Sequence, residues 1–436
     1  MDSPMKNIVI VGGGAGGLEL ATKLGDTFGK RASAEVHLVD ANNTHLWKPL
    51  LHEVATGSLD SGIDELSYRA QAYNHNFKFH IGRMNNLDRD RKEIILEAIH
   101  DENGLTVLPE RRLQYDTLVL AIGSQTNDFG TKGAKQFCSF LDSREQADKF
   151  HQKLLNTYLK ANNTATEKGN YKLNIAIVGA GATGVELAAE LHNTASELSA
   201  YGLDTLGKDQ LQVSIIEAGD RILPALPPRI SSAAHRELEK LDIKVKTNTF
   251  IKEVTQDGFL TNDGQLIKAE LKIWAAGVKA PNWMNELSGL ETNRVNQIVV
   301  KPSLQTTRDD SIFAIGDCSF LLQKDGSPVP PRAQAAHQQA YHVYKNLVRI
   351  SEARTPLDYV YKDKGSLVNL SRYSTVGSLM GNLRGGSMMV EGRIARIVYV
   401  SLYRLHQVAL HGYFKTALMS LSGRINKIIR PRLKLH

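Results

Sequence analysis

Two stretches of the 436-residue sequence carry the same arrangement of glycines. In "IVIVGGGAGGLELATKL" (8–24), Gly12, Gly14 and Gly17 fill G-x-G-x-x-G between an apolar run and a helical pattern. In "IAIVGAGATGVELAAEL" (175–191), Gly179, Gly181 and Gly184 do the same. Such a turn lets the backbone approach a pyrophosphate closely and places its charge on free N–H groups at a helix N-terminus. An acid ends the second strand of each unit. Asp40 stands 23 residues after Gly17, where a carboxylate accepts ribose hydroxyls, and Glu217 closes "LQVSIIE". An acid at Glu217 repels a 2′-phosphate, so the second turn is expected to prefer NAD over NADP. Arg221, four residues on, is a counter-signal best read as a surface residue of the next loop. Two turns predict two dinucleotides, one that stays and one that visits.

Three further strips share a pattern. "YDTLVLAIGS" (115–124) and "LKIWAAGVKA" (271–280) are apolar strands ending in small residues, each roughly 100 residues after its own glycine turn. "DDSIFAIGDCS" (309–319) ends in Gly316-Asp317, where an aspartate reads at its simplest as a helix N-cap. The chain has only two cysteines, Cys138 and Cys318, 180 residues apart and in no CxxC. They exclude a disulfide framework and point to a reducing, intracellular compartment. Cys318 reads as a small buried apolar residue.

The elements that must position these groups follow from periodicity. Residues 6–13 read as a strand, 15–29 as a helix with Leu18, Ala21 and Leu24 on one face, and 34–40 as a second strand, which completes a βαβ unit. Residues 171–217 repeat the plan after about 165 residues, with a loop insertion around 198–210. Polar stretches at 159–171 and 322–331 read as loops, and no βαβ rhythm is found beyond about residue 355. Length implies two or three domains. Hydrophobic content of 42% and charged content of 23% belong to a folded chain. The opening "MDSPMKNIVIVGG" leaves no room for a signal peptide before the first strand. The net charge of +7 is localised: residues 391–436 hold nine Lys and Arg against Glu391, which leaves −1 on residues 1–390.

Together the turns and strips resemble the flavoprotein pyridine-nucleotide-disulfide reductases, in which the N-terminal turn binds FAD and the inserted one NAD(P)H. That resemblance implies α/β architecture: two Rossmann-type dinucleotide-binding domains plus a C-terminal membrane-associating region with an amphipathic helix. It gives Asp317 a hydrogen bond to the FAD ribityl chain. The disulfide reductases carry a redox-active cysteine pair beside the flavin, whereas Cys138 and Cys318 lie in no two-cysteine motif, so disulfide chemistry is not expected. "PRAQAAHQQA" (331–340), with Gln334 and Gln338 at i, i+4, joins "HLWKPLLHEVATGSLD" (45–60) and "YKDKGSLVNLSRYSTVG" (361–377) in a closer resemblance. These strips are similar to the type II, non-proton-pumping NADH:quinone oxidoreductases of the enterobacterial kind, over essentially the entire chain.

This second resemblance implies a quinone head group at Gln334 and Gln338, Lys364 near quinone or flavin, and Glu186 at the junction of nicotinamide and flavin. It implies FAD contacts at Gly12, Gly14, Gly17, Asp40, Lys48, Ala121, Gly123, Gly316 and Asp317, and NADH contacts at Gly179, Gly181, Gly184, Glu217 and Gly277. Trp47 is read equally as core or as lying against the flavin. His337, between the two glutamines, is expected to point elsewhere, which leaves the proton donors for quinol unnamed. The implied division is 1–126 and 279–350 for an FAD domain with the quinone strip, 127–278 for NADH, and 351–436 for membrane anchoring. No metal is implied.

In the tail, Arg393, Arg404, Gln407, His411 and Lys415 fall within roughly 80° on a helical wheel, opposite Val398, Leu402, Leu405, Ala409 and Tyr413. The longest uncharged run there, 405–414, is ten residues, against the ~20 that span a bilayer. A basic helix with Tyr399, Tyr403 and Tyr413 suits the interface of an anionic membrane. Packing on the protein's own core and a homodimer contact are the alternatives, and no nucleic-acid motif accompanies the charge. The expectation is a monotopic respiratory enzyme on the cytoplasmic face of a bacterial inner membrane. A soluble flavin reductase serving a protein carrier and a membrane-bound NADH sensor are the rival readings.

Overall fold

A computed structural model describes residues 6–59, 65–168, 171–201, 210–371, 374–380, 387–429 and 433–434. The chain folds as two compact units, each assembled from three segments.

The first unit comprises Met1–Trp47, Glu65–Gln125 and Val278–Lys362. Its centre is a five-stranded parallel sheet ordered Ile312–Ala314, Thr117–Leu120, Asn7–Val11, Glu35–Asp40 and Lys78–Ile81. Ile8, Val9, Ile10, Leu118, Val119 and Leu120 are fully buried, as a sheet covered on both faces requires. The helix Ala15–Leu24 packs against the helix Ala333–Ser351. A three-stranded antiparallel sheet is built from Arg111–Gln114, Glu93–Leu96 and Met84–Asp88.

The second unit comprises Lys48–Asp64, Thr126–Gly277 and Asp363–His436. Four parallel strands run in the order Lys244–Lys246, Leu211–Ile216, Leu173–Val178 and Leu271–Trp274. The antiparallel trio Ile251–Val254, Gly258–Thr261 and Leu266–Lys268 repeats the plan of the first unit. In both units the strip expected some 100 residues after the glycine turn is the direct neighbour of the turn's own strand.

One expected loop is a helix. Residues 159–168 complete the helix Arg144–Lys168. Lys160, Asn163 and Glu167 face out, while Leu154, Tyr158, Ala161 and Ala165 form a buried stripe at helical spacing. The expected insertion at 198–210 starts later, since the helix Ala182–Ala200 runs through Leu198, and residues 202–209 lie outside the described ones. Past residue 355 the chain forms an antiparallel sheet, Gly365–Leu370, Ser374–Met380 and Ser387–Glu391, and then the helix Gly392–Ile429.

The two faces of that helix differ from the wheel. Gln407 and His406 are buried, whereas Leu405 and Tyr413 are 60% and 82% exposed. Gly412, at φ 74° and ψ 172°, breaks the helix, so one 100° register cannot run through it. The helix also packs against the antiparallel sheet. The side chains of Arg393, Arg396, Val398, Leu402, Tyr403, Arg424, Lys427, Arg430 and Arg432 lie outside the described residues.

Candidate active site

The two glycine turns are built alike. Gly12 and Gly179 both adopt φ of 103°, and their N–H groups donate to Val39 O and Ile216 O, each at 2.8 Å. A Cβ on Gly17 would sit 1.9 Å from Gly12 O, and one on Gly184 would sit 2.0 Å from Gly179 O, so only glycine lets helix and turn close together. A Cβ on Gly14 or Gly181 would meet nothing within 4 Å. Each helix N-terminus is thus open on that side.

The acids brace the turns. Asp40 Oδ2 accepts Gly13 N–H at 2.7 Å, and Glu217 Oε2 accepts Ala180 N–H at 2.8 Å. Burial pushes the Asp40 carboxyl above the usual range, against the N–H groups of Asn42 and Gly13 that favour its charge. Arg221 donates to Pro224 O at 3.0 Å in the loop that follows.

In the first unit the backbone of Ala121 is what confines Gly12: a Cβ on Gly12 would be 2.3 Å from Ala121 O, and one on Gly17 would be 3.1 Å from the Ala121 Cβ. Gly123 and Gly316 take positive φ, 79° and 71°. Asp317 sits inside the short 3-10 turn Gly316–Cys318, not at an N-cap. Its carboxylate accepts from Ser124 Oγ at 2.8 Å, and its carbonyl accepts from Gln297 Nε2 at 2.8 Å. Buried Gln339 accepts Gly316 N–H at 2.6 Å. Gln339 is thus the residue of the 331–340 strip that holds the Asp317 turn, and no spacing rule singles it out.

On the same helix, half-buried Gln334 lies one turn before Gln338. Gln338 spends both ends of its amide on Lys362, donating to its O at 2.8 Å and accepting its N–H at 3.0 Å. This pairing makes Gln338 a brace for the 361–364 segment. His337 points to Glu19 and lies 5.6 Å, ring to ring, from Trp47. Cys318 is buried with its thiol pushed up to about 11, and burial pushes Cys138 to about 12. Neither is a thiolate at neutral pH. Among the described residues no cluster could hold a metal ion.

In the second unit Glu186 is 6% exposed on the helix that the second turn starts. Its Oε1 accepts Asn369 N–H at 2.9 Å, and His52 Nδ1 stands 3.8 Å from Oε2. Burial pushes the Glu186 carboxyl up to about 8, with Glu53 and Glu190 adding to the rise. One turn on, buried Glu190 accepts from Ser58 and from Asn193 Nδ2. His52, pulled down by burial, completes the group. His52 and Glu190 carry no motif, and only the fold shows them beside Glu186. Gly277 has φ 66°, with the ring of Phe129 over it. Lys48 and Lys364 are exposed members of this unit.

The family model of the pyridine nucleotide-disulphide oxidoreductases matches residues 6–340. A type II NADH:quinone oxidoreductase of Haemophilus influenzae is 49% identical over 444 residues, which covers 99% of this chain and 100% of the relative. The chain belongs to the type II NADH:quinone oxidoreductases. Another member of this family, NdhA of Mycobacterium tuberculosis, is 30% identical over 425 residues, covering 93% of this chain and 84% of the relative. The solved structure of NDH2 from Plasmodium falciparum in complex with NADH shares the fold at a TM-score of 0.83 and 22% identity, covering 98% and 100% of the two chains. Both glycine turns lie within the residues that the family model matches.

Proposed function

We propose that this chain oxidises NADH at the second turn, holds FAD at the first and delivers the electron pair to a quinone dissolved in a membrane. The paired turns carry the reading: each has an open space for a pyrophosphate and an acid that braces the turn. FAD, when bound, supplies the hydride-accepting and electron-passing chemistry. The protein supplies binding, orientation and charge. Gly12, Gly14, Gly17, Asp40, Gly123, Gly316 and Asp317 belong to the FAD side, with Ala121 as the packing partner of Gly12. Gly179, Gly181, Gly184, Glu217 and Gly277 belong to the NADH side, where Glu217 disfavours a 2′-phosphate. Gln334 faces the quinone head group, Gln338 braces Lys362 beside it, and Glu186, protonated at pH 7, keeps an uncharged carboxyl where the nicotinamide docks. Lys48 and Lys364 add positive charge at the rims.

The protein binds the cytoplasmic face of an anionic membrane. No helix among the described residues is long and apolar enough to cross a bilayer. Beyond Gly412, Tyr413, Phe414, Leu418, Leu421 and Ile425 are all exposed, which suits insertion to interfacial depth. This outward apolar set favours the membrane reading over a soluble carrier reductase. Steady-state assays with NADH, NADPH and quinones of differing tails, on protein whose flavin absorbance is recorded, test the function. A yellow protein that reduces quinones with NADH far better than with NADPH is expected. A colourless protein inert towards quinones would overturn it.

A further inference from the structure

The two turns differ at one peptide. Gly13 O accepts two side-chain donors, Tyr68 O–H at 2.8 Å and His45 Nδ1 at 2.9 Å. Both side chains are buried, at 3% and 6% exposure. The Tyr68 ring presses on Gly13 so closely that a Cβ there would lie 2.4 Å from ring atoms. Phe79 stacks on Tyr68 at 5.1 Å, which fixes the ring in turn. Because a carbonyl only accepts, His45 must carry its proton on Nδ1. At the matching place the second turn has Ala180, whose carbonyl accepts one backbone N–H, from Leu223 at 2.8 Å.

The consequence is directional. Asp40 holds the 12–13 peptide through Gly13 N–H, while Tyr68 and His45 hold the 13–14 peptide through Gly13 O. In a trans peptide the N–H points opposite to the C=O, so Gly14 N–H is aimed away from the two donors. We infer that Tyr68 and His45 are positioning residues that preset the first turn to retain its dinucleotide, a pair of side-chain donors that the second turn lacks among the described residues. The inference rests on the assignment of the first turn to FAD. Preset donors bind without an ordering cost, which slows release. One turn therefore keeps its ligand, and the other exchanges it.

The test measures FAD release from diluted holoprotein by flavin fluorescence, beside calorimetric binding of NAD⁺ at the other turn. Tyr68→Phe keeps the ring and removes one donor, and His45→Leu removes the other. Each is expected to raise the FAD dissociation constant about 3- to 10-fold, as for one neutral hydrogen bond. His45→Asn, whose amide can replace Nδ1–H, restores most of it. NAD⁺ affinity stays at the wild-type value, and the flavin-stripped variants remain folded with a melting temperature lowered by only a few degrees. Variants that hold FAD as tightly as wild type, or that weaken NAD⁺ equally, would overturn the clamp. Wild-type protein that binds NAD⁺ but takes up no FAD would instead remove the FAD assignment, and the inference with it.

Discussion

Glu186 is the residue where burial and chemistry meet. Its folded carboxyl keeps a proton up to about pH 8, whereas the unfolded chain gives it up near 4.5. Between those values the folded state binds more protons, so stability falls as pH rises through the window. Melting curves at pH 6 and pH 9 are expected to show a larger drop for wild type than for Glu186→Gln. The same variant is expected to keep FAD while NADH-driven quinone reduction falls at least tenfold, read by flavin absorbance and initial rates. His80 behaves in the opposite sense. His37 Nδ1 and His80 Nε2 meet at 3.0 Å between neighbouring strands, and burial, followed by the charge of His37, lowers His80 from 6.5 to about 4. As pH falls from 6.5 towards 4 the unfolded chain takes up a proton that folded His80 refuses, so stability is lost on the acid side. His80→Asn should flatten that acid limb in a thermal-denaturation series. Neither effect is legible in sequence, because His80 looks like any strand residue until its partner is found.

At the scale of the element, each glycine turn separates two jobs that a motif merges. Gly17 is required by the protein itself, since any Cβ would strike Gly12 O. Gly14 is not required by the fold, since a Cβ there meets only open space, and its proposed role is to admit the ligand. Gly17→Ala is therefore expected to destabilise the folded protein by about 1–3 kcal/mol through overpacking, read in denaturant melts. Gly14→Ala should melt like wild type when stripped of flavin, yet bind FAD at least tenfold more weakly in reconstitution titrations. Strand, turn, helix and terminal acid were all readable because their spacing is set locally. The helical state of 159–168 was hidden because its surface is polar, and only the packing of Tyr158, Ala161 and Ala165 reveals the stripe.

At the scale of the whole molecule, the tail is the proposed membrane contact. The break at Gly412 leaves Phe414, Leu418 and Leu421 exposed at 77%, 52% and 57%. Such residues are costly in water and each contributes up to about 1.5–3 kcal/mol when buried. Replacing all three with serine is expected to lower partition onto phosphatidylglycerol vesicles at least tenfold in sedimentation assays. Turnover with a water-soluble quinone should persist. Unchanged partition would leave the tail as a structural extension only.

The sequence by itself determined the two dinucleotide turns, their acids, the absence of a redox cysteine pair and the positive charge of the last 46 residues. The turns and their acids depend on residue type at short, fixed spacing, and the other two on composition alone. Tertiary structure alone decided which carbonyl Tyr68 and His45 would clamp, that Gln339 would hold the Asp317 turn, and that His52 and Glu190 would join Glu186. It also decided that Gln407 would turn inward while Tyr413 faced out. These outcomes depend on contacts between residues far apart in the chain, and on one glycine that resets a helix, so no local pattern encodes them.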